Sequence, residues 1–63
     1  MDIKKLLEAR IRFEHAGHRV ILRDGADITT EMVVRYRNGG ELLLYRYDRV
    51  LTEQERRFLM GQY

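Results

Sequence analysis

Five arginines at strand-like spacing have the clearest binding chemistry in this sequence; they are Arg19, Arg23, Arg35, Arg37 and Arg46. Ten of the 12 basic residues are arginine, a bias that a GC-rich genome would also produce. A guanidinium group is a planar fork that binds carboxylates or phosphates and stacks on aromatic rings. The net charge is only +2, so the overall field does not by itself indicate nucleic acid. The arginines therefore predict a binding surface whose partner depends on their arrangement.

Residues for nucleophilic or metal chemistry are absent or poorly placed. The chain has neither serine nor cysteine, which excludes the common nucleophile–histidine arrangements. His15 and His18 are separated by Gly17, which should end a helix, and no cluster of further ligands accompanies them. We expect both histidines to be surface groups, and the sequence predicts no metal site and no cofactor.

Two pairs of carboxylates have structural explanations. Asp24 and Asp27 flank a predicted turn, where aspartate hydrogen-bonds its own backbone. Glu53 and Glu55 stand at a predicted helix start, where negative charge is favourable. The sequence therefore predicts a protein that is not an enzyme.

Length and composition fit a single small domain over residues 1–63. Such a domain has a thin core, which a partner or a second copy can complete. The absence of cysteine excludes disulfides, and no apolar run approaches the roughly 20 residues of a membrane span. Charges within residues 1–12 do not fit a signal peptide. We expect a cytoplasmic protein without membrane association.

Capping signals predict a helix near each end of the chain. Asp2 is suited to cap a helix over about residues 3–16, and Gly17 is suited to end it. Thr52 and Glu55 have the spacing of a capping box, which predicts a second, short helix.

Three strands are predicted between these helices. Residues 18–24 alternate as a strand, a turn follows at 24–27, and the next strand begins near Ile28 or Thr29. Asn38-Gly39-Gly40 then separates two apolar-rich arms, which is a strong hairpin signal. Short links favour an antiparallel meander. The predicted fold class is α+β: an N-terminal helix, a three-stranded antiparallel β-meander and a short C-terminal helix.

The length of the hairpin turn decides which side chains share a face. With a two-residue turn, one face carries Met32, Val34, Tyr36, Leu43, Tyr45 and Tyr47. The second face then carries Val33, Arg35, Arg37, Leu42, Leu44 and Arg46, joined by Arg19, Ile21 and Arg23 from the first strand. We favour this turn because it gives the first helix a sheet face without arginines on which to pack. A three-residue turn with a bulge would instead place Tyr45 and Tyr47 beside Arg35 and Arg37, as on a platform for single-stranded nucleic acid.

The second predicted face has an apolar centre with an arginine rim. One interpretation is that the C-terminal helix covers the centre with Phe58 and Leu59, while the arginines pair with nearby carboxylates. The other is that the face is an interaction surface, since protein interfaces commonly combine an apolar centre with a polar, arginine-containing border. The sequence leaves both interpretations open.

Short motifs over about the first 45 residues resemble those of a known family. They are Met1-Asp2-Ile3 with Leu6-Leu7, Val20-Ile21-Leu22, Ile28-Thr29, Met32-Val33-Val34-Arg35 and the turn Asn38-Gly39-Gly40. In these motifs and in segment order the chain resembles the small phage anti-CRISPR proteins that inhibit Cas9. The resemblance implies inhibition by an acidic surface that mimics DNA at the site reading the PAM. Here only Asp24, Asp27 and Glu31 could serve in that way, and the arginine-rimmed face would meet an acidic patch of the effector or its guide RNA.

The sequence therefore predicts a small, non-enzymatic protein of phage or mobile-element type that binds and inhibits a larger host protein, with a CRISPR-Cas effector as the expected partner. The predicted partner-binding residues are Arg19, Arg23, Arg35, Arg37, Arg46, Ile21, Val33, Leu44, Asp24 and Asp27. The alternative is a nucleic-acid-binding regulator whose arginines contact phosphates. A homodimer through the same face also stays open.

Overall fold

Two helices and three strands form in the order that the sequence predicts, in a computed structural model that describes residues 2–26 and 28–62. They are helix α1 (Ile3–His15), strands β1 (Arg19–Asp24), β2 (Thr30–Arg35) and β3 (Glu41–Tyr47), and helix α2 (Glu53–Leu59). The sheet is antiparallel with the order β1-β2-β3. The α+β fold prediction is confirmed. Neither α1 nor α2 has the length and apolar character that crossing a bilayer needs, and the described residues contain no other α-helix.

Both helices begin at the predicted capping residues, and α1 ends at the predicted glycine. The Asp2 side chain accepts a hydrogen bond from the Lys4 backbone N–H at 3.2 Å. Gly17 follows α1 with a φ of 88°, a conformation that glycine adopts without steric cost. Thr52 and Glu55 form the reciprocal capping box of α2. Local sequence signals therefore fix the two helix starts and the end of α1.

Helix α1 packs on one face of the sheet, which we name the helix face. Leu6 is the fully buried residue of α1, and it meets Val20, Met32 and Val34 from β1 and β2. Half-buried side chains extend this core; they are Phe13, Leu22, Tyr36, Leu44, Tyr45 and Tyr47. Burial of these side chains is the main force that holds α1 on the sheet.

Helix α2 lies beside α1 on the same face. Leu51 and Leu59 are buried, and Arg10 of α1 donates to the Met60 carbonyl at 3.3 Å. A groove of about 420 Å³ runs along α2, lined by Ile3, Tyr45, Tyr47, Arg49, Leu51, Gln54, Glu55, Phe58 and Leu59. Helix α2 therefore packs on the helix face and leaves the opposite face of the sheet uncovered.

A buried threonine attaches the segment before α2 to the sheet. The Thr30 hydroxyl donates to Asp24 Oδ1 at 3.0 Å and accepts from the Leu51 backbone N–H at 3.1 Å. Arg56 donates to the same Asp24 oxygen at 2.7 Å and to the Leu51 carbonyl at 3.1 Å. The hydrogen bond from Arg56, followed by that from Thr30, lowers the pKa of Asp24. These four residues fix α2 to the ends of β1 and β2.

The β2–β3 turn has three residues, so the predicted two-residue turn is wrong. The Tyr36 backbone N–H donates to the Gly40 carbonyl at 2.8 Å, which leaves residues 37–39 as the loop. Gly39 has a φ of 94°, and the Asn38 side chain accepts from the Gly40 N–H at 2.9 Å. Asn-Gly supplies the required conformation in this longer loop as it would in the shorter one.

A β-bulge in β3 compensates for the longer turn. Met32 lies opposite Tyr45 and Val33 lies opposite Leu43, so Leu44 is the extra residue. The turn and the bulge each shift the alternation by one residue, and beyond the bulge the two shifts cancel. Tyr45 and Tyr47 therefore lie on the helix face, as predicted.

Between the turn and the bulge, the predicted face assignment is wrong. Leu42 lies opposite Val34 and so belongs to the helix face, whereas Leu43 lies opposite Val33 on the other face. Leu44 packs against the core instead of joining the arginines. Each of the three leucines is therefore on the face opposite to the one predicted.

Candidate functional site

The sheet face away from both helices collects most of the predicted arginines, and we name it the arginine face. By strand register it comprises Arg19, Ile21, Arg23, Glu31, Val33, Arg35, Glu41, Leu43 and Arg46. Because α2 packs on the helix face, the interpretation in which Phe58 and Leu59 cover these residues is wrong. Within residues 2–26 and 28–62, no secondary-structure element lies over the arginine face.

Charged side chains form one alternating chain across this face. Arg46 contacts Glu31 at 3.2 Å, and Glu31 contacts Arg23 at 3.1 Å. Arg23 also contacts Glu41 at 3.1 Å, and Glu41 contacts Arg35 at 2.9 Å. Each of the three strands contributes side chains to this row of ion pairs, so the row forms only when all three strands pair in the observed register.

The ion-pair chain explains why Val33 is buried on an otherwise open face. Val33 is 1% exposed, although it is outside the core cluster on the helix face. Arg23 on β1 and Glu41 on β3 can meet only across β2, and on that strand Val33 lies between Glu31 and Arg35. The charged side chains therefore shield Val33 from water.

Hydrogen bonds keep Glu31 and Glu41, the two glutamates of the ion-pair chain, ionised. Those from Arg23 and then Arg46 lower the pKa of Glu31, and those from Arg23 and then Arg35 lower the pKa of Glu41. Such solvent-exposed ion pairs contribute little to folding stability. Their consequence is geometric, because they hold the guanidinium groups in place without removing them from solvent.

The arginine face has a surplus of positive charge and an accessible apolar side chain. Four arginines stand against two glutamates, which leaves a net charge of +2 on this face. Arg19 makes no ion pair with any described residue. Leu43 is 46% exposed beside the shielded Val33, and Ile21 is half-buried. Accessible apolar area bordered by arginine is typical of protein interfaces.

Four residues predicted to bind a partner lie elsewhere or outside the description. Arg37 donates through Nε to the Gly17 carbonyl at 3.2 Å, so it lies against the end of α1. Leu44 belongs to the core, and Asp24 is paired within the protein by Thr30 and α2. Asp27 is outside the described residues. Of the predicted set, Arg19, Ile21, Arg23, Val33, Arg35 and Arg46 are brought together on one face.

The two histidines differ in their surroundings. His15 is exposed at the end of α1, as expected. His18 is half-buried, and its ring packs edge-on against Tyr36 at a centroid distance of 4.8 Å, with Phe13 at 6.3 Å. The expectation of a surface position for His18 is therefore wrong. Among the residues that the structure describes, no group of three or more His, Cys, Asp or Glu side chains is arranged to hold a metal ion.

Comparison with known proteins adds no relative to this picture. No protein-family model, curated protein or solved structure matches the chain.

Leu43 is the accessible apolar residue that the sequence prediction placed on the wrong face of the sheet. The pertinent signal was the second glycine of Asn38-Gly39-Gly40, which suits a three-residue loop as well as a two-residue one.

Proposed function

We propose that this chain is a non-enzymatic binding protein that docks its arginine face on an acidic surface of a larger host protein and inhibits that protein. The supporting observation is that both helices pack on one side of the sheet, which leaves the arginine face accessible. An antiparallel sheet commonly leaves one face to solvent, but the side chains on such a face are ordinarily polar. Here Val33 is shielded only by charged side chains, and Leu43 stays accessible.

The charge of the arginine face determines the kind of partner. Its surplus of two positive charges favours a surface rich in aspartate and glutamate. Guanidinium groups bind carboxylates through two hydrogen bonds, and the chain of ion pairs already holds Arg23, Arg35 and Arg46 in place. Fixed side chains lose less conformational entropy on binding, so the positioned arginines favour affinity.

A CRISPR-Cas effector is the partner we propose, on the basis of the sequence resemblance and the matching order of helix, three-strand meander and helix. An acidic DNA-mimicking surface gains no support from the structure. Asp24 is paired with Arg56, and Glu31 is paired with Arg23 and Arg46. We therefore propose that the arginine face, and not the carboxylates near the first turn, contacts the effector.

Two observations weigh against the alternative of a nucleic-acid-binding regulator. Tyr45 and Tyr47 pack on the helix face, so the arginine face has no aromatic platform for bases. Glu31 and Glu41 lie between the guanidinium groups and repel phosphates and carboxylates alike. A protein surface can place basic or neutral side chains opposite these two glutamates, whereas a nucleic-acid backbone is negative along its whole length.

Retention from a bacterial lysate tests the proposal. The immobilised chain is incubated with a lysate of bacteria that express Cas9 with its guide RNA, with and without nuclease treatment. We expect Cas9 to be the host protein that is retained after nuclease treatment. Loss of all retained protein on nuclease treatment, together with steeply salt-dependent binding of plain DNA or RNA, would instead support the regulator, because each neutralised phosphate releases counterions.

A further inference from the structure

The two hairpins of the sheet have the same loop length but differ at one position. The Gly25 N–H donates to the Thr29 carbonyl at 2.9 Å, as the Tyr36 N–H does to the Gly40 carbonyl at 2.8 Å. Three residues separate each of these pairs in the sequence. The third is Gly39 in the second hairpin, with a φ of 94°, and Ile28 in the first, with a φ of 56°. An isoleucine therefore occupies the position where the other loop has glycine.

This isoleucine is unfavourable for folding on two counts. A β-branched residue at positive φ is strained, because its Cβ crowds the backbone. Its side chain is also 72% exposed, more than any other large apolar side chain in the described part of the protein. Burial inside the protein therefore does not compensate for the strain. Residues held in such conformations are often found at functional sites.

We infer that Ile28 is an anchor that inserts into an apolar pocket of the host protein, beside the acidic surface that meets the arginine face. This inference rests on the proposed function and adds a second contact to it. The loop that contains Ile28 joins β1 to β2 next to the Arg23–Glu31 pair, so one partner surface can reach both. Large side chains that fill a partner's pocket commonly provide most of the binding energy of an interface.

The variant Ile28→Asn separates strain from binding. Asparagine tolerates positive φ and removes the apolar side chain, so the midpoint of thermal unfolding should rise by roughly 4 °C. Retention of the host protein from the nuclease-treated, Cas9-expressing lysate, quantified by mass spectrometry, should fall at least about tenfold. Ile28→Leu, which keeps an apolar side chain, should preserve more than half of the retention. Val50→Ala is the matched control, because Val50 is an apolar loop residue with 44% exposure.

Each result of this experiment supports or contradicts the anchor. Reduced retention by Ile28→Asn, with a higher unfolding midpoint and normal retention by Val50→Ala, supports it. Undiminished retention by Ile28→Asn overturns the anchor and leaves the proposed function standing. Equal losses in the Ile28→Asn and Val50→Ala variants, or a lower midpoint for Ile28→Asn, also overturn it. If the wild-type chain retains no host protein, the proposed function fails and the anchor fails with it.

Discussion

The double variant Arg35→Glu/Arg46→Glu should retain at least about 100-fold less host protein than the wild-type chain. The two substitutions change the net charge of the arginine face from +2 to −2. They also leave Glu41 and Glu31 facing new negative charges in place of their present partners, Arg35 and Arg46. An acidic partner surface would then meet repulsion at two of the four positions where it now meets a guanidinium group. Retention by immobilised protein, normalised to the amount coupled, measures the effect.

A second double variant controls for total charge. Lys5→Glu/Arg12→Glu makes the same change in net charge, at exposed positions of α1 on the other side of the sheet. It should retain the host protein nearly as well as wild type. Circular dichroism should show that both double variants are folded, because exposed ion pairs contribute little to stability. Equal losses of retention in the two variants would mean that overall charge, and not the arginine face, governs binding.

The variant Thr30→Val should lower the free energy of unfolding by roughly 2–3 kcal/mol. Valine has nearly the shape of threonine but lacks the hydroxyl, which is fully buried and makes two hydrogen bonds. The Leu51 N–H would lose its acceptor inside the protein, and Asp24 would lose a donor. Small domains have only roughly 0.05–0.15 kcal/mol of stability per residue, so this loss is a large share of the total. Urea unfolding followed by circular dichroism measures it.

Thr30→Ser distinguishes the hydrogen bonds from the packing of the threonine methyl group. Serine keeps the hydroxyl and loses one methyl group, so its cost should be about 1 kcal/mol. A Thr30→Val variant as stable as Thr30→Ser would show that the bonds from Thr30 to Asp24 and Leu51 do not hold α2 on the helix face.

The helices and strands could be predicted because their signals are local. Asp2, Gly17 and the Thr52–Glu55 capping box act within one turn of a helix, so neighbouring residues suffice to identify them. The alternation in β1 and β2 likewise survives in the structure without irregularity. These signals determine which elements form, their order, and the starts of both helices.

The faces of β3 could not be predicted in the same way, because they depend on two irregularities acting together. Asn38-Gly39-Gly40 is compatible with loops of two or three residues. The bulge at Leu44 leaves no clear signal in the sequence, since three consecutive leucines fit either register. The predicted faces of Tyr45 and Arg46 are correct only because the shift from the turn and the shift from the bulge cancel. Leu42 and Leu43 lie between the turn and the bulge, so each is on the face opposite to the predicted one.

The placement of α2 was undetermined for a different reason. Phe58 and Leu59 could have packed on either side of the sheet, as far as their spacing shows. The deciding contact is long-range: the Leu51 N–H donates to Thr30, whose hydroxyl also holds Asp24. The strained position of Ile28 is likewise visible only once the pairing of Gly25 with Thr29 is known.

Two adjacent leucines allow the most direct test of the claim that the arginine face binds the host protein. Leu43 lies on the arginine face and is 46% exposed, whereas Leu42 lies on the helix face and is 41% exposed. Leu43→Glu and Leu42→Glu therefore make the same chemical change, one residue apart, on opposite faces. Retention of the host protein from the nuclease-treated lysate should fall at least about tenfold for Leu43→Glu and stay near the wild-type level for Leu42→Glu. Equal retention by the two variants, or a loss confined to Leu42→Glu, would contradict binding through the arginine face.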